Sequence, residues 1–252
     1  MKIAVIGSGI SGLSAAYYLS KKYYVDLYEK EDHFGGHSHT VDIKANKENI
    51  PVDVGFIVFN ELTYPNLINF FKEINVEYEK SNMSFSVSVQ DTNIEYSGSG
   101  FKGIFSNKKN IFNIKFLKMI FEIVNFYKKV SNDISNDNIK LTLGEYLTKN
   151  NLSNYFINYH IVPMVASIWS MPYGKAKNMP FALFVEFFSN HGLFRLKNRP
   201  QWLTVKNRSR SYVNEVLKKI SGEYYKNYEV KKVIRKNNTV RIMVGSDQEF
   251  LE

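Results

Sequence analysis

The sequence contains no cysteine. That absence removes disulfide bracing, thiolate zinc sites, thiol nucleophiles and cysteinyl-flavin links together. Arginine is scarce, with only Arg195, Arg199, Arg208, Arg210, Arg235 and Arg241 among 33 basic residues. The net charge of +9 would suit a polyanion. The lysines, however, are scattered among Asn, Ile, Tyr and Phe without a basic tract or a nucleic-acid motif, so no nucleic-acid partner is expected. Long apolar runs are missing as well. The best candidate, residues 161–169, is short and holds Pro163, and the apolar run at residues 3–6 is too brief for a signal-peptide core. A cytoplasmic chain without a membrane span is expected. What is present is 252 residues, 44% hydrophobic and 23% charged, the mix of a chain that folds into one large domain or two modest ones.

Residues 3–6 form a short apolar run of the kind buried on both faces of a parallel sheet, and it ends at Gly7. Leu13, Ala16, Tyr17 and Leu19 then recur at helical spacing, and residues 24–28 alternate like a second strand. Strand, glycine turn, helix, strand is a βαβ unit. A second glycine turn at Gly35-Gly36, a hairpin over residues 40–53 and a helix near 64–74 follow. From about residue 75 the texture changes, and Met83-Ser84-Phe85-Ser86-Val87-Ser88-Val89 alternates as a sheet with one wet face does. Phe112, Phe116, Met119, Ile120, Ile123, Tyr127 and Val130 recur every three or four residues and predict one amphipathic helix over 111–130. Residues 141–188 read as mostly helical, broken at Pro163, Pro172 and Pro180. A helix over 211–219 and strands at 229–235 and 239–244, joined across Asn237-Asn238, come next, with another strand starting in 249–252.

Gly7-Ser8-Gly9-Ile10-Ser11-Gly12 is a GxGxxG directly after a strand and opening a helix. Gly7 permits the tight turn, Gly9 lets a pyrophosphate approach the backbone, and Gly12 lets helix and strand touch, while the helix start offers free N–H groups and a positive dipole end. Glu29 ends the second strand, where a carboxylate accepts hydrogen bonds from an adenosine ribose and repels a 2′-phosphate. This pattern binds a dinucleotide without separating NAD from FAD. A second glycine pair, Phe34-Gly35-Gly36-His37, allows a close approach to the same pyrophosphate from the other side and favours FAD. Lys30, Thr40, Gly55 and Phe56 complete the candidate cofactor set around these glycines.

On these residues the first 60 positions resemble the flavin-containing amine oxidase superfamily, which includes protoporphyrinogen oxidases and carotenoid desaturases. Within it the chain is most similar to FAD-binding oxidoreductases often encoded beside cyclopropane-fatty-acid synthases. The runs that carry this are Gly35-Gly36-His37-Ser38-His39-Thr40-Val41-Asp42, Val52-Asp53-Val54-Gly55-Phe56-Ile57-Val58-Phe59-Asn60, Thr63-Tyr64-Pro65-Asn66-Leu67, Met83-Ser84-Phe85-Ser86-Val87, Ile168-Trp169-Ser170, Asn190-His191-Gly192-Leu193 and Arg199-Pro200-Gln201-Trp202. The resemblance implies a three-layer, Rossmann-like α/β FAD-binding domain made of residues 1–74 and 206–252, the second segment incomplete, with an inserted α+β substrate domain at 75–205. It implies hydride transfer from an apolar, lipid-like substrate to flavin, with Val230 holding the adenine through its backbone. Asn60, Tyr64, Trp169, His191 and Trp202 are candidate substrate residues, and no general base stands out. Departures from the family pattern are definite. His33 and His37 stand where the family usually has Arg, so the phosphate contact relies on backbone amides. Asn207-Arg208 replaces a Gly-Gly pair. A late Gly-Asp motif is missing, since Gly245-Ser246-Asp247 reads as a hairpin turn, and the resemblance therefore implies a C-terminally truncated product.

His33, His37 and His39 invite a metal reading, but no carboxylate pattern completes a site and no metal is expected. Lys115, Lys118, Lys128 and Lys129 beside the Phe-rich stripe suit a core helix with snorkelling lysines, and peripheral contact with anionic lipid is the alternative. Two other functions fit the same motifs: an NAD-dependent dehydrogenase, and a non-catalytic flavin-binding accessory protein docked on a lipid-modifying enzyme. If the riboflavin end lacks its wall, the chain is expected to leave gel filtration with little or no FAD. Two missing charge-assisted hydrogen bonds at about 1.5–3 kcal/mol each correspond to roughly two to four orders of magnitude in affinity. Visible flavin absorbance of the eluted protein measures this, and stoichiometric flavin would refute it.

Overall fold

The computed structural model describes residues 1–45, 48–90, 92–133, 137–195, 198–236, 239–245 and 249–251. The turns read at Asn237-Asn238 and Ser246-Asp247 lie outside the described residues. The chain forms two compact units, Met1–Ser81 with Gln201–Glu252, and Asn82–Pro200. In chain order the first segment contains β1 (Lys2–Ile6), α1 (Ile10–Ser20), β2 (Tyr24–Tyr28), β3 (Thr40–Ala45), β4 (Glu48–Asp53), α2 (Pro65–Glu73) and β5 (Tyr78–Ser81). The second unit contains β6 (Ser86–Ser88), β7 (Glu95–Ser97), α3 (Gly100–Ile104), α4 (Ile114–Lys129), α5 (Leu143–Lys149), α6 (Asn154–Phe156), α7 (Val162–Trp169) and α8 (Phe181–Asn190). The returning segment adds β8 (Trp202–Val205), α9 (Ser209–Leu217), β9 (Tyr224–Tyr225), β10 (Val230–Lys236), β11 (Thr239–Val244) and β12 (Glu249–Leu251).

In the first unit β1 and β2 pair in parallel from Lys2 opposite Tyr24 to Ile6 opposite Tyr28, and β9 continues the sheet beside β2. Parallel neighbours need a crossover, which α1 provides; its Leu13 and Ala16 are fully buried. Leu13, Leu27, Phe59, Phe71, Tyr212 and Val216 share one apolar core, so α1, α2 and α9 meet around the strand ends. The three-stranded sheet β10-β11-β12 is antiparallel. β5 pairs with β8 from Tyr78 opposite Val205 to Ser81 opposite Trp202. That pairing groups residues 75–81 and 201–205 with the first unit, whereas the sequence alone assigned them to the substrate domain. Asn207 and Arg208 have φ of 64° and 75°, the left-handed region that glycine enters freely and most side chains enter at about 1–2 kcal/mol. Asparagine tolerates it, and Arg208 is pinned by its Nε donating to the Pro51 carbonyl at 2.9 Å.

The second unit has its own core around Phe116, Phe126, Tyr127, Phe156, Phe184 and Phe188. In its β6–β7 hairpin, Val87 lies opposite Tyr96, both buried while the flanking serines point outward or half outward. The helix expected over 111–130 begins only at Ile114, because the Asn113 side chain caps it by accepting from the Phe116 N–H at 3.1 Å. Phe112 therefore falls in the preceding 3-10 turn, 87% exposed, and is not part of the core stripe. Pro163 does not break its helix as expected. A π turn over Ile157–Ile161 passes directly into α7, and that altered hydrogen-bond register absorbs the N–H that proline lacks.

His160 sits in this π turn, buried, with Nδ1 2.9 Å from the Tyr96 hydroxyl and Nε2 2.9 Å from the Tyr127 hydroxyl. The Tyr96 hydroxyl donates to the Tyr159 carbonyl at 2.8 Å, which leaves Nδ1–H as donor to Tyr96 and Nε2 as acceptor from Tyr127. Burial pushes His160 down to about 3. The unfolded chain takes a proton below about pH 6.5 and the folded one does not, so this stability is full above about pH 6.5 and is lost as pH falls. Denaturant melts are expected to show the second unit weakening between neutral pH and about pH 4, and His160→Gln is expected to flatten that slope.

Candidate cofactor-binding site

Gly7 ends β1 at φ 88° and donates its N–H to the Tyr28 carbonyl at 2.8 Å. A Cβ on Gly12 would lie 1.8 Å from the Gly7 carbonyl oxygen, so its absence is what lets α1 rest on the loop. The helix starts with Leu13 N–H donating to the Gly9 carbonyl at 2.9 Å. A Cβ on Gly7 or Gly9 would meet nothing within 4 Å. Open space therefore lies beside these two backbone positions. Among the described residues no side chain caps α1, its first turn holds no acid, and Ile10 and Ser11 are exposed. The positive end of the helix is left without a counter-charge from its own cap or first turn.

Glu29, at the end of β2, is buried. Its Oε2 accepts from the Ser8 N–H at 2.8 Å and the Ser8 hydroxyl at 2.5 Å, and its Oε1 accepts from the Glu31 N–H at 3.1 Å. Burial pushes the carboxyl up, but the hydrogen bonds from Ser8, Glu31 and Lys30 outweigh it and hold Glu29 below the usual carboxylate range. Ser8 also ties in the second glycine loop, because its Oγ accepts from the Gly35 N–H at 3.1 Å. A Cβ on Gly36 would lie 3.0 Å from the Gly9 Cα, so the two glycine loops abut. Behind them Phe56 N–H donates to the His37 carbonyl at 2.7 Å, and a Cβ on Gly55 would sit 2.1 Å from that same oxygen.

The remaining candidates fall in several places. Thr40 is buried and directs its hydroxyl to Asp53 at 2.6 Å. Asp53 also takes the Ser209 N–H and, at 2.8 Å, the Ser209 hydroxyl, so a β4 carboxylate serves the start of α9. Tyr212 donates to the Ser38 hydroxyl at 2.5 Å. These links were not read from the sequence, although Asp53 lies inside the Val52–Asn60 run. Lys30 is exposed and pairs with Glu31 at 3.3 Å. Val230 opens β10 two residues after Tyr228, whose N–H donates to the Glu29 carbonyl at 2.8 Å. His33 and His39 stack at 3.8 Å. No group of three metal-ligating side chains occurs among the described residues.

Of the candidate substrate residues, Asn60, Tyr64 and Trp202 belong to the first unit, and Trp169 and His191 to the second. Asn60 is fully buried; its Oδ1 accepts from the Thr63 N–H at 2.9 Å, and its Nδ2 has no hydrogen-bond partner among the described residues. Tyr64 is half-buried and begins α2, its N–H donating to the Asn60 carbonyl at 3.2 Å. Trp202 is buried at the start of β8. In the second unit, Trp169 and His191 both rest on the Phe187 ring, at 4.6 Å and 3.9 Å.

Residues 5–74 match the model of the NAD(P)-binding Rossmann-like domain family. A stretch of 82 residues, 31% of this chain and 15% of the relative, is 35% identical to 1-hydroxycarotenoid 3,4-desaturase of Flavobacterium sp. (strain P99-3). Among solved structures, an oxidoreductase from Methanosarcina mazei aligns over 100% of this chain and 57% of its own, at 18% identity and a TM-score of 0.60. Putrescine oxidase with putrescine bound aligns over 98% of this chain and 56% of its own, at 17% identity and a TM-score of 0.65. The chain thus has a Rossmann-like dinucleotide-binding region with additional mixed α/β structure, the fold of these oxidoreductases, and spans little more than half their length.

The residues present fit the ADP end of a dinucleotide: a backbone cradle that a Cβ at Gly9 would begin to fill, an uncapped helix start and a buried acid beside it. The two glycines separate fold from binding. Gly12→Ala is expected to lower stability by more than about 2 kcal/mol by pushing α1 off the loop. Gly9→Ala is expected to leave the melting temperature nearly unchanged and weaken ADP binding at least about tenfold. Thermal melts paired with calorimetric ADP titration check both.

Proposed function

We propose that this chain carries the nucleotide-binding part of an FAD-dependent oxidoreductase that oxidises or desaturates an apolar, lipid-like substrate. The observation behind it is the abutment of two glycine loops at the uncapped start of α1, with the buried Glu29 joined to the first loop directly and to the second through Ser8. The backbone at Gly7, Gly9, Gly35 and Gly36 would hold the pyrophosphate, Glu29 the adenosine ribose, and the segment at Val230 the adenine. Flavin, when bound, supplies the two-electron acceptor chemistry. Around it the chain contributes binding and orientation: peptide N–H groups in place of arginine at the phosphates, and in Asn60 a buried amide donor without a partner among the described residues. An apolar substrate is supported by the similarity to a carotenoid desaturase, and cytoplasmic location remains part of this proposal.

The test is calorimetric titration with ADP, FAD, NAD⁺ and NADP⁺. ADP and FAD are expected to bind, NADP⁺ to be rejected by Glu29, and Glu29→Gln to weaken ADP about tenfold or more while relaxing that rejection. In a relative of the solved structures' length, tighter binding of NAD⁺ than FAD would overturn the flavin reading in favour of a dehydrogenase. For the reaction itself, a flavin-loaded relative of the solved structures' length, mixed anaerobically with phospholipids, is expected to lose its oxidised-flavin absorbance. No bleaching by any lipid would favour a flavin-binding accessory protein.

A further inference from the structure

The helix α4 is apolar on two sides, one buried and one exposed. Phe116, Met119, Ile123, Phe126 and Tyr127 face the core of the second unit. On the opposite side Ile114, Leu117 and Phe121, at positions i, i+3 and i+7, are 81%, 41% and 67% exposed. Phe112, immediately before the helix, is 87% exposed. Single exposed apolar residues are ordinary, but a run of large ones on one helical face is not.

The charges along this segment have one sign. Residues 98–121 contain five lysines, Lys102, Lys108, Lys109, Lys115 and Lys118, and no acid, and all five are exposed. Glu122, on the next position, has both carboxylate oxygens engaged by Ser153, through its N–H at 3.1 Å and its hydroxyl at 2.5 Å. Beside the stripe a shallow cavity of about 390 Å³ is lined by Lys115, Lys118, Asn154, Tyr155, Asn158 and Tyr159. Two ammonium groups with neutral amide and phenol groups suit a phosphodiester. The helix is too short to cross a bilayer, and no helix among the described residues is long and apolar enough to do so. A rim of lysines around projecting Phe, Leu and Ile side chains matches the interface of an anionic bilayer, where the rings enter the acyl boundary and the lysines reach the headgroups.

We propose that the face formed by Ile114, Leu117 and Phe121, with Phe112 just before them and the lysines of the same segment, docks the second unit on an anionic membrane surface. Charge complementarity selects this occupant over a second copy of the chain, which would bring the same five lysines against their own kind. The proposal rests on the second unit alone and does not require the flavin chemistry proposed above.

Co-sedimentation with vesicles tests it, using phosphatidylcholine alone and phosphatidylcholine with added phosphatidylglycerol. The chain is expected to bind the anionic vesicles at least about tenfold more tightly than the neutral ones, and less tightly at high salt. Phe112→Ser with Phe121→Ser, both at exposed positions, is expected to cut that binding at least about tenfold with an unchanged circular dichroism spectrum and melting temperature. Lys115→Glu with Lys118→Glu is expected to abolish the preference for anionic vesicles. Absence of vesicle binding by the folded chain, or equal binding by the phenylalanine variant, would overturn the proposal. So would a dimer in sedimentation velocity that the phenylalanine variant dissolves, which would make the face a self-association surface.

Discussion

A carboxylate removed from water has to find donors, and Glu29 finds them in the places that organise the nucleotide end. Two come from Ser8 and one from Glu31. Ser8 can supply both only if the first loop turns at Gly7, and that turn lets its hydroxyl accept from Gly35 as well. One buried charge thus sets the end of β2, the first glycine loop and the approach of the second. The main chain of Glu29 extends the same constraint, donating to Tyr225 and accepting from Tyr228, so the returning segment is tied to the strand end that the acid completes.

The βαβ start was legible because its signals are local, although β1 alternates exposed and half-buried residues and is not buried on both faces as its apolar run suggested. An apolar run stopping at glycine, a helical spacing of Leu13 and Ala16, and an acid at the end of the next strand each act within a few residues. What stayed hidden depends on partners far apart in the chain. Asp53 serving the start of α9 spans 156 positions, and β5 meeting β8 joins Tyr78 to Val205; neither leaves a periodic trace. The Asn207-Arg208 pair was visible as a departure from a family pattern, but its meaning is conformational. Both residues have positive φ, with arginine in a conformation that glycine adopts more easily.

In the second unit the error over Phe112 and the surprise at Pro163 share a cause. Hydrophobic periodicity counts spacing and is blind to where a cap or a changed hydrogen-bond register resets it. Asn113 resets the phase at the start of α4, and the π turn at residues 157–161 resets it again before Pro163. The same π turn places His160 between two tyrosine hydroxyls, where every ring nitrogen has a partner and the imidazole stays neutral.

The uncapped start of α1 has a consequence for the life of the chain. The helices α4 and α5 are capped by Asn113 and Thr142, and α9 has Asp53 at its first turn, whereas α1 leaves its dipole end to solvent. An anion held at this end would complete the electrostatics of the helix start. A ligand that binds the folded state alone stabilises it by about 2.7 kcal/mol at a hundredfold excess over its Kd. If the proposed nucleotide is that ligand, its supply and the turnover of this chain are coupled: a nucleotide-starved cell would hold less of the chain, through faster clearance of its unfolded fraction rather than through any change in its synthesis.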